Sequence, residues 1–122
     1  MANPNLTSPT AIYGTTHQQN GTTTETTFLT NASGSGNVFR IASLYAVNID
    51  GSSAVDATVR LYDAASGGNP FPLVYQVSVP ANATVTVITA DAFLYLMENK
   101  RLTIEASANS SLAFIVSYEL IS

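Results

Sequence analysis

The residues that could carry acid–base or metal chemistry are few and scattered. The sole histidine, His17, stands in Thr-Thr-His-Gln-Gln with no carboxylate at useful spacing, and there is no cysteine. A histidine-based catalytic or metal site needs a positioned partner, so His17 predicts neither. No serine sits in a G-x-S-x-G elbow. Asp50, Asp56, Asp63 and Asp91 fall at turns or exposed strand positions. Asp63 and Asp91 with Asn69 come nearest to an oxygen-ligand set, but a calcium loop clusters its ligands at short spacing. The Gly-Ser-Gly run at 34–36 precedes a strand-like run and not a helix, which excludes a phosphate loop. Asn-x-Ser/Thr matches at Asn5, Asn20, Asn31, Asn82 and Asn109 are expected by chance in a chain so rich in Thr and Ser. No enzymatic activity, metal or cofactor is predicted.

Any function must then reside in surfaces. Of 122 residues only 10% are charged, while 46% are hydrophobic. An average soluble domain is about 25% charged. Uncharged Thr, Ser, Asn and Gly replace the missing charge, a surface suited to a protein packed against others or to a plain polar β domain. The net charge of -4 argues against nucleic-acid binding. The opening MANPNLTSPT has neither the basic region nor the apolar core of a signal peptide, and no apolar run reaches membrane-span length, so neither export nor membrane insertion is expected.

The elements that position these surfaces read as strands. Val55, Ala57, Val59 and Leu61 alternate with Asp56, Thr58, Arg60 and Tyr62, a two-residue period. The preceding run is apolar on both parities: Phe39, Ile41, Tyr45, Val47 and Ile49 on one, Val38, Ala42, Leu44 and Ala46 on the other. It therefore lies centrally, covered on both sides, or carries a phase-changing bulge. Asp50-Gly51 between the two runs predicts a hairpin. Residues 1–21, with Pro4 and Pro9, read as an extended N-terminal arm anchored by Leu6, Ile12 and Tyr13 on its own domain or a neighbouring subunit. Residues 22–122 read as one domain. Its first strand is Thr22–Thr30, and residues 64–72, with two glycines and two prolines, form a loop whose Phe71 either folds back over the sandwich end, the commoner outcome, or stands exposed as a contact. Four runs follow: Leu73–Val79, Ala83–Thr89, Leu102–Ala106 and Leu112–Leu120. Asp91–Met97 fits a helical turn or a short strand, its length favouring the strand. About eight strands at eight- to twelve-residue spacing predict an all-β, antiparallel two-layer β-sandwich, with a jelly roll as the expected variant.

Four motifs carry a family likeness: N-P-N-L-T-S-P-T-A-I-Y-G at 3–14, G-S-G-N-V-F-R-I-A-S-L-Y-A-V-N-I-D-G at 34–51, A-V-D-A-T-V at 54–59 and V-P-A-N-A-T-V-T-V-I at 79–88. Together they resemble small all-β virion structural proteins of tailed bacteriophages, especially those infecting cyanobacteria. The resemblance implies a capsid decoration (cement) protein, made in the host cytoplasm and seated as a homotrimer on the outer capsid surface, where it contacts the major capsid protein or other virion proteins. A tail, neck or fibre component would use the same chemistry, and a carbohydrate-binding sandwich module is the alternative of another class. The expected contacts are Leu6, Ile12 and Tyr13 on the arm, Val38, Leu44 and Ala46 on a strand face, and Phe71 in its loop.

Overall fold

The computed structural model describes residues 4–122. Within them the strands are β1 (Ile12–Asn20), β2 (Thr26–Asn31), β3 (Val38–Asn48), β4 (Val55–Tyr62), β5 (Pro70–Val79), β6 (Thr84–Ile88), β7 (Leu94–Leu96), β8 (Lys100–Ala106) and β9 (Leu112–Ile121). A 3-10 turn, Ala90–Ala92, separates β6 from β7, so Asp91–Met97 holds part of a helical turn as well as a strand. The first sheet has the order β1-β9-β3-β6, with β7 pairing β3 beside β6; the second has the order β2-β8-β4-β5. All pairings are antiparallel. The fold is the expected all-β sandwich, and Ile41, Leu44, Leu96, Leu102, Ile104, Leu112 and Phe114 fill the space between its sheets.

The two-sided apolar run of β3 has a bulge at its centre. Its register against β9 shifts between Ile41 and Ser43, and the extra residue changes which parity faces the core. Phe39 and Ile41 point inward before the bulge, and Leu44 and Ala46 after it. Tyr45 and Val47 are thereby turned to the outer face.

Three expectations are corrected. The runs either side of Asp50-Gly51 form no hairpin: β3 pairs with β6, β7 and β9, whereas β4 pairs with β5 and β8. Both strands carry core-facing side chains, and the connection satisfies them by arching from one sheet to the other. Residues 70–72 are not loop but the start of β5, where Pro70 pairs with Tyr62 and Pro72 with Arg60. Proline survives there because β5 is an edge strand and its missing N–H costs the ladder nothing on the open side. Finally, the first three residues of the expected 1–21 arm lie outside the described ones, and its second half is a strand of the sandwich. Ile12–Asn20 pairs along its whole length with β9 without a register shift. Both its faces are largely exposed, so it has no apolar stripe for periodicity to detect.

Two buried asparagines hold the crossovers between sheets. Asn48, the last residue of β3, is 2% exposed. Its Nδ2 donates to the carbonyls of Ser53 and of Val79 on β5 in the opposite sheet, both at 2.9 Å, while Oδ1 accepts from the Asp50 N–H at 2.8 Å. Asn31, the last residue of β2, mirrors it: Nδ2 donates to the carbonyls of Asn37 and of Leu96 on β7 across the sandwich, each at 2.9 Å, and Oδ1 accepts from Ser35 Oγ at 2.6 Å. Each side chain thus ties a sheet to its opposite and satisfies a buried carbonyl there, that of Leu96 or Val79. Close approach sets a third crossover. A Cβ on Gly21 would lie 2.6 Å from Cε1 of the core ring Phe114, so only glycine fits where the chain passes from β1 towards β2.

Asn48→Ala removes the side-chain bonds to the Ser53 and Val79 carbonyls and to the Asp50 N–H. Unsatisfied buried groups cost about 1–3 kcal/mol each, partly relieved by entering water, so a loss of about 2–4 kcal/mol is expected in urea denaturation.

Candidate interaction surfaces

The two outer faces of the sandwich differ in chemistry. On the second sheet, Arg60 of β4 lies between carboxylates, with Nη1 2.9 Å from Glu105 Oε1 and 3.3 Å from Glu25 Oε2. Glu25 also accepts from Thr103 Oγ1 at 2.6 Å and from the Tyr62 hydroxyl at 2.9 Å. Arg101 extends the network: its guanidinium carbon is 3.8 Å from the Tyr62 ring centroid, and Nη1 donates to the carbonyls of Ala64 and Gly67, both at 2.7 Å. Partial burial works to raise the Glu25 carboxyl, but the hydrogen bonds from Thr103 and Tyr62 and the Arg60 charge outweigh it and hold it below the ordinary glutamate range. The bond to Glu105, foremost, raises Arg60 further. Bonding to Glu25 raises the Tyr62 hydroxyl. On this face Arg60 is thus paired with both Glu25 and Glu105.

The first sheet's outer face is nearly free of charge. Cross-strand rows read Gln18–Ile115–Tyr45–Thr86 and Asn20–Ala113–Val47–Thr84. Ile115, Tyr45, Ala113 and Val47 are half-buried in the centre, with exposed Gln18, Asn20, Thr84 and Thr86 flanking them. At one end Arg40 meets Glu119 at 3.4 Å, and its guanidinium carbon stands 4.3 Å over the Phe93 ring. Phe93 and Tyr95 pack edge to face at 5.1 Å, and both remain more than a third exposed, as does Met97.

The residues singled out from sequence are distributed among three places. Leu6, Ile12 and Tyr13 are exposed at 46%, 54% and 63%, on β1 and the segment before it. Phe71 is 55% exposed but belongs to β5, at the edge of the other sheet away from the β1–β2 side, so it forms no common patch with them. Val38, Leu44 and Ala46 are buried, at 3%, 0% and 0%. Leu44 and Ala46 fill the core because of the bulge, and Val38 lies in the row Ile12–Ile121–Val38 on the opposite face, covered within the protomer. None of these three is open to a partner. The surface that sequence reasoning missed is Tyr45, Val47, Ala113 and Ile115 with Phe93, Tyr95 and Met97. Its signal was present in the second apolar parity of β3 and in the i, i+2, i+4 spacing of 93, 95 and 97, but the position of the bulge decides which parity emerges.

Among the described residues no group of three or more His, Cys, Asp or Glu side chains that could hold a metal ion comes together. Asp63 does meet Asn69, accepting from its N–H at 2.7 Å and from Nδ2 at 3.3 Å, but these bonds close the 63–69 loop. Asp91 sits apart in the 3-10 turn. A shallow depression of about 70 Å³ is lined by Asp56, Thr58, Gln76, Glu105, Ala106 and Ser107, and Glu105 there is bound to Arg60. His17 packs against Phe28 with ring centroids 5.1 Å apart. No helix among the described residues is long and apolar enough to cross a membrane.

No family model and no curated protein matches the sequence. Among solved structures, the chain is similar to one from Bacillus endospore appendages, described as a novel family of disulfide-linked pili. The TM-score is 0.52 at 11% identity, over 91% of this chain and 87% of that one. A chain of infectious bursal disease virus strain Gx also matches, with a TM-score of 0.36 at 8% identity, over 91% of this chain and 36% of that one. At 11% identity the likeness to the appendage protein is one of fold.

Glu25 gives the charged face a pH signature. A carboxyl held lower in the folded chain than in the unfolded chain adds stability above its unfolded value, near 4.5, and loses it as pH falls through the folded value. Glu25→Gln is therefore expected to destabilise at pH 7 and to approach wild-type stability at pH 3, as measured by urea midpoints at both pH values.

Proposed function

We propose that this chain is a non-enzymatic structural subunit of a particle, a phage capsid decoration protein, that attaches through the outer face of its β1-β9-β3-β6 sheet. The observation that carries this reading is the contrast between faces. One carries charged side chains, Arg60 between Glu25 and Glu105, and the other presents Tyr45, Val47, Ala113 and Ile115 framed by uncharged Gln, Asn and Thr. Burying a side chain the size of Val, Ile or Tyr contributes roughly 1.5–3 kcal/mol. A surface with almost no charge loses little solvation on docking, and many copies on a shell add avidity.

The strand order supports the same reading. The pairs β4–β5, β3–β6, β2–β8 and β1–β9 nest inside one another, which is the pattern of a long antiparallel ribbon rolled into a jelly roll, an architecture common in viral shells. The bacteriophage resemblance of the sequence motifs points the same way. The pilus protein of similar fold is described as disulfide-linked, a chemistry this cysteine-free chain cannot use; its contacts have to be non-covalent.

Ile115→Lys places a cation at the centre of the proposed contact. The variant is expected to keep the wild-type far-ultraviolet circular dichroism and to lose at least tenfold in binding to phage particles stripped of the protein. A particle map should place the wild-type chain on the outer shell with this sheet inward. Normal decoration by Ile115→Lys would overturn the choice of face, and density in the tail, neck or fibres would overturn the decoration role.

A further inference from the structure

Each sheet of the sandwich has two edges, and an edge strand presents unpaired N–H and C=O groups to any extended chain. Three of the four edges are blunted. β5 carries Pro70 and Pro72, two register shifts against β4 and a positive φ of 51° at Gln76. β2 is short and shifts register between Thr27 and Leu29. The far edge of the first sheet is divided between β6 and β7 by the 3-10 turn. β1 has no such device. Its nine residues, Ile-Tyr-Gly-Thr-Thr-His-Gln-Gln-Asn, include no proline and no Asp, Glu, Lys or Arg, and they run in unbroken register with β9.

We propose that the free edge of β1 takes the β1 strand of a second copy, antiparallel across a two-fold axis, to form one continuous sheet through both protomers. The hydrogen-bond phase of the strand defines the contact. Ala11 and Ser122 exchange backbone bonds, and Gly21 N–H donates to Leu112 O at 2.8 Å. Odd-numbered residues therefore face β9, and Ile12, Gly14, Thr16, Gln18 and Asn20 point their N–H and C=O outward. Two such edges can join only even against even. Pairing Ile12 with Asn20, Gly14 with Gln18 and Thr16 with its own symmetry mate satisfies every outward group on both strands, each pair exchanging both its bonds. Sliding by two residues strands a pair at each end.

The self-complementary phase of β1 fits a second copy as the occupant, and charge on the strand does not oppose it. Two chains of net charge -4 repel each other, but no ionised Asp, Glu, Lys or Arg lies on β1, so its self-pairing opposes no like charges. The even positions that face outward in the ladder also lie on the outer face of the first sheet, Gln18 and Asn20 in the rows of Ile115 and Ala113, Thr16 in that of Ser117 and Gly14 in that of Glu119. In the joined sheet the uncharged rows of each protomer, through Gln18 and Asn20, abut the partner's Gly14 and Ile12, beyond which the Glu119–Arg40 pair lies. This pairing is independent of what that surface attaches to.

The test is a charge swap at the axis. Thr16 is exposed, and Thr16→Lys sets two cations directly opposite each other. Sedimentation equilibrium of the full chain is expected to give twice the single-chain mass for wild type, the single-chain mass for Thr16→Lys and for Thr16→Glu, and the doubled mass again for their equimolar mixture. Hydrogen exchange should protect the N–H groups of Gly14, Thr16 and Gln18 in wild type and release them in Thr16→Lys, with the odd-numbered groups protected in both. A wild-type chain that stays single at high micromolar concentration would overturn the proposal, as would a dimer indifferent to Thr16→Lys. Protection of the even groups only on addition of particles would assign the edge to a partner's strand instead of a second copy.

Discussion

The fold depends on moving the chain repeatedly from one sheet to the other without leaving backbone polar groups dry. Of the consecutive strands, only β4 and β5 pair with each other; the rest are separated by a crossover or, for β6 and β7, by the turn at the sheet edge. A crossover carries N–H and C=O groups past the end of an apolar core, where each needs a partner. Asn31 and Asn48 supply those partners from the terminal positions of their strands, and each amide reaches one carbonyl in its own loop and one in the facing sheet. An asparagine suits this task because its amide offers two donors and an acceptor without charge. A carboxylate there would face carbonyls with no proton to give.

Local order was legible in the sequence where side chains alternate against a core. β4, β6, β8 and β9 were readable because one parity is apolar and the other is not. Which strand lies beside which was not readable, because pairs such as β1–β9 and β2–β8 join distant parts of the chain and nothing in a two-residue period names the partner. Asp50-Gly51 misled for that reason: its residues suit a hairpin, yet the same turn propensity serves an arch. β1 escaped detection because an edge strand exposed on both faces needs no apolar parity. Phe71 between two prolines read as loop because an edge strand tolerates what a central strand does not.

The interaction surface was half legible. The second apolar parity of β3 showed that its other side would be covered, but the bulge after Ile41 exchanges the parities midway. Leu44 and Ala46 go to the core, and Tyr45 and Val47 emerge. Side chains cannot locate such a bulge, since it is set by pairing with β9. Even so, the apolar character of both parities was a real signal, and its placement needed the register.

The low charge of the chain acquires a structural meaning from the distribution of its ions. Arg60 and Arg101, two of four cationic side chains, are engaged on the second sheet by Glu25, Glu105, the Tyr62 ring and loop carbonyls. The central rows of the first sheet carry no ion at all. A sandwich that needed only to remain dispersed would gain from charge on both faces. Here one face carries a cluster of charged side chains, while the centre of the other is apolar and framed by uncharged Thr, Gln and Asn. That asymmetry gives the molecule a direction. A subunit with a direction can cover a surface with one side and meet solvent with the other, which a uniformly polar sandwich has no physical reason to do.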